Sequence, residues 1–109
     1  MATGTIKQVT NNSDSNFCKM PDGTLIQWGF RGGYESTKRR DFTIDLPVAF
    51  KNEGAYAVSA VSQFASEANP YECLCIVKKT SGSQFVIHQV NATDNYCNAL
   101  MWIAVGRWK

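Results

Sequence analysis

The side chains able to do chemistry gather in the polar stretches of the chain. Tyr34 stands with Arg31, Glu35, Arg39 and Arg40; Tyr71 with Glu67 and Asn69; Tyr96 with Asn91, Asp94 and Asn95. Each group joins an aromatic ring to planar polar side chains, which is what a carbohydrate site requires. The ring covers the apolar face of a sugar, and amide, carboxylate or guanidinium groups take its hydroxyls in pairs. The first group is basic, and guanidinium binds phosphate and carboxylate bidentately, so it suits an anionic glycan. Read singly, each group also fits a solvated turn.

Catalytic chemistry finds less support. The single histidine, His88, has no nucleophile motif near it and reads as a strand residue at a surface or interface. Asp41 and Asp45 fall on the wet side of one strand, roughly 13 Å apart by strand rise, which exceeds the separation glycosidases use. Cys73 and Cys75 share a strand face roughly 7 Å apart, beyond disulfide reach. With Cys18 and Cys97 they are expected to be reduced, small apolar residues, although a pairing such as Cys18 with Cys97 stays open. No metal-ligand spacing occurs, and nothing calls for a cofactor.

The chain has 109 residues, 44% of them apolar and 18% charged, which fits one domain with one core. A net charge of +2 is far below the excess of a duplex-binding domain. The longest apolar stretch, Ala99 to Gly106, is too short to cross a bilayer, and the N-terminus lacks a leader's basic-then-apolar pattern. A soluble chain without membrane insertion is expected.

The elements that must position these groups read as strands. Residues 1–16 are polar and read as a tether, and from Phe17 to Lys109 short apolar runs alternate with turn residues. Pro21-Asp22-Gly23 is a turn signal, with Pro fixing φ and Gly free to take a positive one. After it, Ile26, Trp28 and Phe30 alternate with Leu25, Gln27 and Gly29. Arg31 to Arg40 should be an exposed loop. Phe42, Ile44 and Leu46 alternate with Asp41, Thr43 and Asp45 before Pro47 closes the strand. Strands are also expected within 55–64, 72–79 and 84–90. In the last strand Leu100, Trp102 and Ala104 occupy one face and Met101, Ile103 and Val105 the other, so neither face suits water. That requires either burial on both sides within a sandwich or burial against another subunit. Six or seven strands at regular spacing predict an all-β, small antiparallel β-sandwich. Trp28 and Trp102, inside alternating strands, are expected in the core or at a subunit interface with Ile103 and Val105; Trp108, at the terminus, is less constrained.

These residues resemble a family. Phe17-Cys18-Lys19-Met20-Pro21-Asp22-Gly23-Thr24-Leu25-Ile26-Gln27-Trp28-Gly29 is similar to the opening of the C-terminal tip domain of gp53-like bacteriophage tail fibres. IDLPVAF at 44–50, SQFVI at 83–87 and WIAVG at 102–106 resemble three later segments of that family, in the same order. Departures are Met20, Trp108, Lys109, the four cysteines and a longer, more basic loop at 31–40. The resemblance implies an H-type-lectin-like sandwich that forms a homotrimer at the virion's fibre tip. It further implies attachment to a bacterial cell-surface receptor, commonly a polysaccharide and sometimes an outer-membrane protein, with no catalysis. Such a chain would be made in the host cytoplasm. In a trimer, three copies of His88 could meet on the axis and hold an ion. Two other readings fit the residues: a purely structural trimerisation cap, and a small β-barrel that binds single-stranded nucleic acid through Arg31-Gly32-Gly33-Tyr34 and Lys38-Arg39-Arg40. The second lacks the aromatic strand signature of RNA-binding domains, and Asp41 and Asp45 follow its basic run directly.

Overall fold

The computed structural model describes residues 6–8, 15–63 and 73–109. Among them are eight strands: β1 (Ile6–Gln8), β2 (Ser15–Lys19), β3 (Thr24–Arg31), β4 (Arg39–Asp45), β5 (Tyr56–Ser62), β6 (Cys73–Lys79), β7 (Gln84–Asn91) and β8 (Leu100–Arg107). Among the described residues, helical structure is confined to one 3-10 turn at Glu53–Ala55. A five-stranded sheet in the order β1-β2-β3-β8-β5 faces a three-stranded sheet in the order β4-β7-β6, and every pairing is antiparallel. The all-β sandwich expected from the alternation is therefore the fold, with seven strands from Ser15 onward. Within the stretch read as a tether, Ile6–Gln8 pairs with β2. Backbone hydrogen bonding to an open sheet edge asks for no apolar run, so composition gave no sign of it.

The inner faces carry the parity predicted for them. Phe17, Leu25, Leu100, Trp102 and Ala104 from the large sheet pack against Ile44, Phe85 and Ile87 from the small one. Phe85 meets Trp102 edge-on at 5.2 Å, an arrangement that suits the quadrupoles of the two rings. At one end Phe50 stacks on Tyr56 at 4.3 Å, and the Tyr56 hydroxyl donates to the Ser81 carbonyl. The predicted turn forms there too. Gly23 takes φ +103° and Asp22 accepts the Thr24 amide, a hydrogen bond that holds the Asp22 carboxyl below its ordinary pKa. Trp108 is fixed rather than loose, its indole donating to the Met20 carbonyl at 2.7 Å.

The two faces of β8 have different surroundings. Leu100, Trp102 and Ala104 are at most 3% exposed, whereas Met101, Ile103 and Val105 are 45–46% exposed on the outside of the large sheet. The sandwich thus covers one face and leaves the other open. Their cross-strand neighbours are Phe30, Trp28 and Ile26 on β3 and Val61, Ser59 and Ala57 on β5. Three adjacent strands so present one continuous, largely apolar outer surface, indented by a shallow hollow of about 300 Å³ lined by Ser59, Val61, Met101 and Ile103. Trp28 belongs to this outer surface and Trp102 to the core, which separates two residues that sequence placed together.

Candidate functional site

The polar clusters converge at one end of the sandwich, where β3 and β7 finish and β4 and β8 begin. Backbone bonds of 2.9 Å in both directions between Glu35 and Cys97 tie the β3–β4 loop to the β7–β8 loop. This bridge brings Tyr34 and Tyr96 together, with ring centroids 5.9 Å apart and planes inclined by 29°. Tyr34 is 58% exposed and Tyr96 38%, so the pair forms an aromatic ledge at the surface. Two clusters separated by some sixty residues in sequence are therefore one. Tyr71 of the third cluster lies outside the described residues, although Ser62 and Cys73, which flank its segment, both stand at this end.

Beneath the ledge lies a buried polar network that keeps the loops in place. Gln89 and Asn91 continue the inward parity of Phe85 and Ile87 and are fully buried. Gln89 donates to the Ser62 hydroxyl and the Asn98 carbonyl and accepts from Arg40 Nε at 2.7 Å. Asn91 donates to the Tyr96 carbonyl, and its Oδ1 receives the Thr93 and Asp94 amides at 3.0 Å. Among the described residues no buried side-chain polar atom is left without a partner. Polar residues at inward positions of a strand were the signal for this network, and the sequence reading did not use it.

The basic cluster divides by role. Arg40 is only 11% exposed; besides Gln89 it donates to the carbonyls of Gly33 and Asn98, stands 3.6 Å from the Glu35 carboxylate and covers the Phe42 ring. These bonds tie the two loops to β7, so Arg40 braces the loop end. The expectation that 31–40 is an exposed loop throughout is corrected accordingly: Arg31 ends β3, Arg39 begins β4, and Arg40 turns inward. The Arg31 guanidinium also lies over the Phe42 ring, 5.5 Å from its centroid. Arg39 and Asp94 are exposed, and the Glu35 side chain is 56% exposed. The end of the molecule therefore offers an aromatic ledge, an outward Arg39 and acceptors from Glu35 and Asp94.

Elsewhere the candidates are engaged in structure. His88 pairs with Asp41 on the outside of the small sheet, away from the apolar face of the large one. Asp45 accepts from Gln84 at 3.0 Å. No cluster of three or more metal-ligating side chains occurs among the described residues. Cys18 is opposite Ile26 on the large sheet, about five residues of strand from the end that holds Cys97, so those two cannot pair.

Comparison with known proteins bears on what such a molecule is. The family model for the C-terminal region of gp53-like tail fiber proteins matches residues 19–107. The chain belongs to that family. The R1 pyocin fiber of P. aeruginosa is similar in structure, with a TM-score of 0.60 and 16% identity over 94% of this chain and 28% of that one. An N-truncated R1-type pyocin tail fiber gives 0.61 and 16% over 94% of this chain and 85% of that one. An N-truncated R2-type pyocin tail fiber gives 0.55 and 18%, over 96% and 39%. At such identities the likeness shows the fold, and the chain spans about a quarter of the first fiber's length. No curated protein matches. The molecule is a phage-type tail-fibre C-terminal domain, and no helix among its described residues is long and apolar enough to cross a membrane.

Proposed function

We propose that this tail-fibre domain is the receptor-binding tip of a phage or prophage fibre. It works as a homotrimer, attaches to a polysaccharide of the bacterial surface, and turns nothing over. The observation that carries this reading is the Tyr34–Tyr96 ledge at the loop end, the same end at which the exposed Arg39 begins β4. A sugar ring laid on the ledge would bury its apolar face, while Arg39 takes a phosphate or carboxylate of an anionic glycan and Glu35 and Asp94 accept hydroxyls. The open outer face of the large sheet supplies the other half: a surface of that apolar character is stabilised by covering it with copies of itself around a threefold axis. Three weak sites held in one rigid tip then act together through their effective concentration. In this arrangement His88, on the small sheet, stands off the axis and holds no ion there.

The test is binding of labelled protein to bacterial cells and to their purified surface polysaccharides, compared between the wild type and Tyr34→Ala with Arg39→Ala. The reading expects loss of binding with an unchanged melting temperature. Unchanged binding by the double variant would remove the ledge from the site.

A further inference from the structure

The fold sets one of the four thiols apart from the other three. Cys18 lies on β2, whereas Cys73 and Cys75 share the inward side of β6 and Cys97 closes the β7–β8 loop. Cys73 is paired across the small sheet with Asn91, whose side-chain amide donates to the Tyr96 carbonyl at 2.8 Å. The Cys73 thiol reaches the same carbonyl at 3.4 Å, and that carbonyl belongs to the peptide bond leading into Cys97, so Cys73 is one of the groups that act on the Cys97 thiol. Cys97 is fully buried and also donates to the Thr37 carbonyl. Cys75 is turned to a different partner, the Ser62 hydroxyl at 3.2 Å. Cys73 and Cys97 are thus neighbours across the Tyr96 carbonyl at the loop end, and Cys75 is held to a different partner.

We propose that Cys73 and Cys97 form a disulfide once the protein leaves a reducing compartment, locking the Tyr96 loop onto β6. The half-exposed Cys73, as thiolate, attacks one sulfur of a small disulfide oxidant such as oxidised glutathione and releases one glutathione thiol. Cys97 then gives up its proton to solvent and displaces the second glutathione thiolate, which takes up a proton. Two protein thiols are oxidised and one glutathione disulfide is reduced to two thiols. The order follows from access, because Cys97 is sealed and Cys73 is not. The titratable groups around Cys97 are Cys73, Arg40 and Glu35; burial first, then Cys73, push its pKa up to about 11, with Arg40 opposing. The closing step is therefore the slow one and quickens as pH rises toward that value. This bond makes covalent a contact that already positions Tyr96, and it stands whether or not the ledge binds a glycan.

The experiment incubates the purified protein with oxidised glutathione at pH 8, traps free thiols by acid and alkylation, and maps tryptic peptides without reduction. Trypsin leaves Cys73 and Cys75 together in 52–78 and Cys97 in 80–107, so fragmentation of the cross-linked pair and the Cys75→Ser variant identify the partner. The expected result is an intramolecular cross-link of these peptides, about 2 Da lighter than their sum. It should persist in Cys75→Ser, remove two titrating thiols per chain, and raise the melting temperature by several degrees. Absence of the cross-link would overturn the proposal. So would a link that fragmentation assigns to Cys75, or one found only between chains through Cys18.

Discussion

Arg39 and Arg40 are neighbours in sequence with the same side chain, and the alternation of β4 gives them opposite tasks. Arg40→Ala would leave the Gln89 amide oxygen and the Gly33 carbonyl without their donor and the Asn98 carbonyl with Gln89 alone, so it should lower stability by about 2–4 kcal/mol in urea denaturation. Arg39→Ala touches nothing buried and should change stability by less than about 0.5 kcal/mol while weakening binding of an anionic glycan. Tyr34→Ala should weaken binding about tenfold, read by titration against purified polysaccharide, with the fold intact. The thiol at Cys97 sets an alkaline limit. Its pKa is raised by burial, so the folded state holds a proton that the unfolded state releases near pH 9, and stability present below pH 9 is lost as pH rises toward about 11. Tyr56, also raised by burial, acts in the same direction. Denaturation midpoints of the reduced protein should therefore fall between pH 9 and 11, and fall less in Cys97→Ala.

At the scale of elements, β8 holds both halves of the design on one strand. Trp102→Ala removes the ring that packs on Phe85 and should cost about 3–5 kcal/mol by calorimetry or denaturant. Ile103→Asp, one residue along, points away from that core and should leave it packed while disrupting the outer surface. That the two side chains lie on opposite faces was readable from the sequence, as were Pro21-Asp22-Gly23 and the stop at Pro47, because a period of two and turn chemistry are local; which face is the core was not. What covers the second face of β8 was not readable, since alternation records that a face is apolar without recording its neighbour. Nor was the site assembled: Tyr34 and Tyr96 meet because β3 pairs with β8 and β4 with β7 and the Glu35–Cys97 bridge ties their loops, and Arg40 looks like part of a solvated basic run until Gln89 and Asn98 close around it. Such contacts depend on topology, which no local pattern encodes.

For the whole molecule, the described residues place an apolar face on the large sheet and a polar, aromatic region at the loop end, with Leu74 and Ile76 adding exposed apolar side chains on the small sheet. Strands of the large sheet run from one region to the other, so assembly on the sheet face would fix the direction in which the loop ends point. The small sheet, carrying the His88–Asp41 pair, is left outward in that assembly. The claim that copies join through the outer face of the large sheet is tested most directly by molar mass from light scattering during size exclusion. The wild type should elute at three times 12.1 kDa, and Ile103→Asp at one chain with cooperative unfolding retained. A wild type that remains a single chain across micromolar concentrations would contradict it.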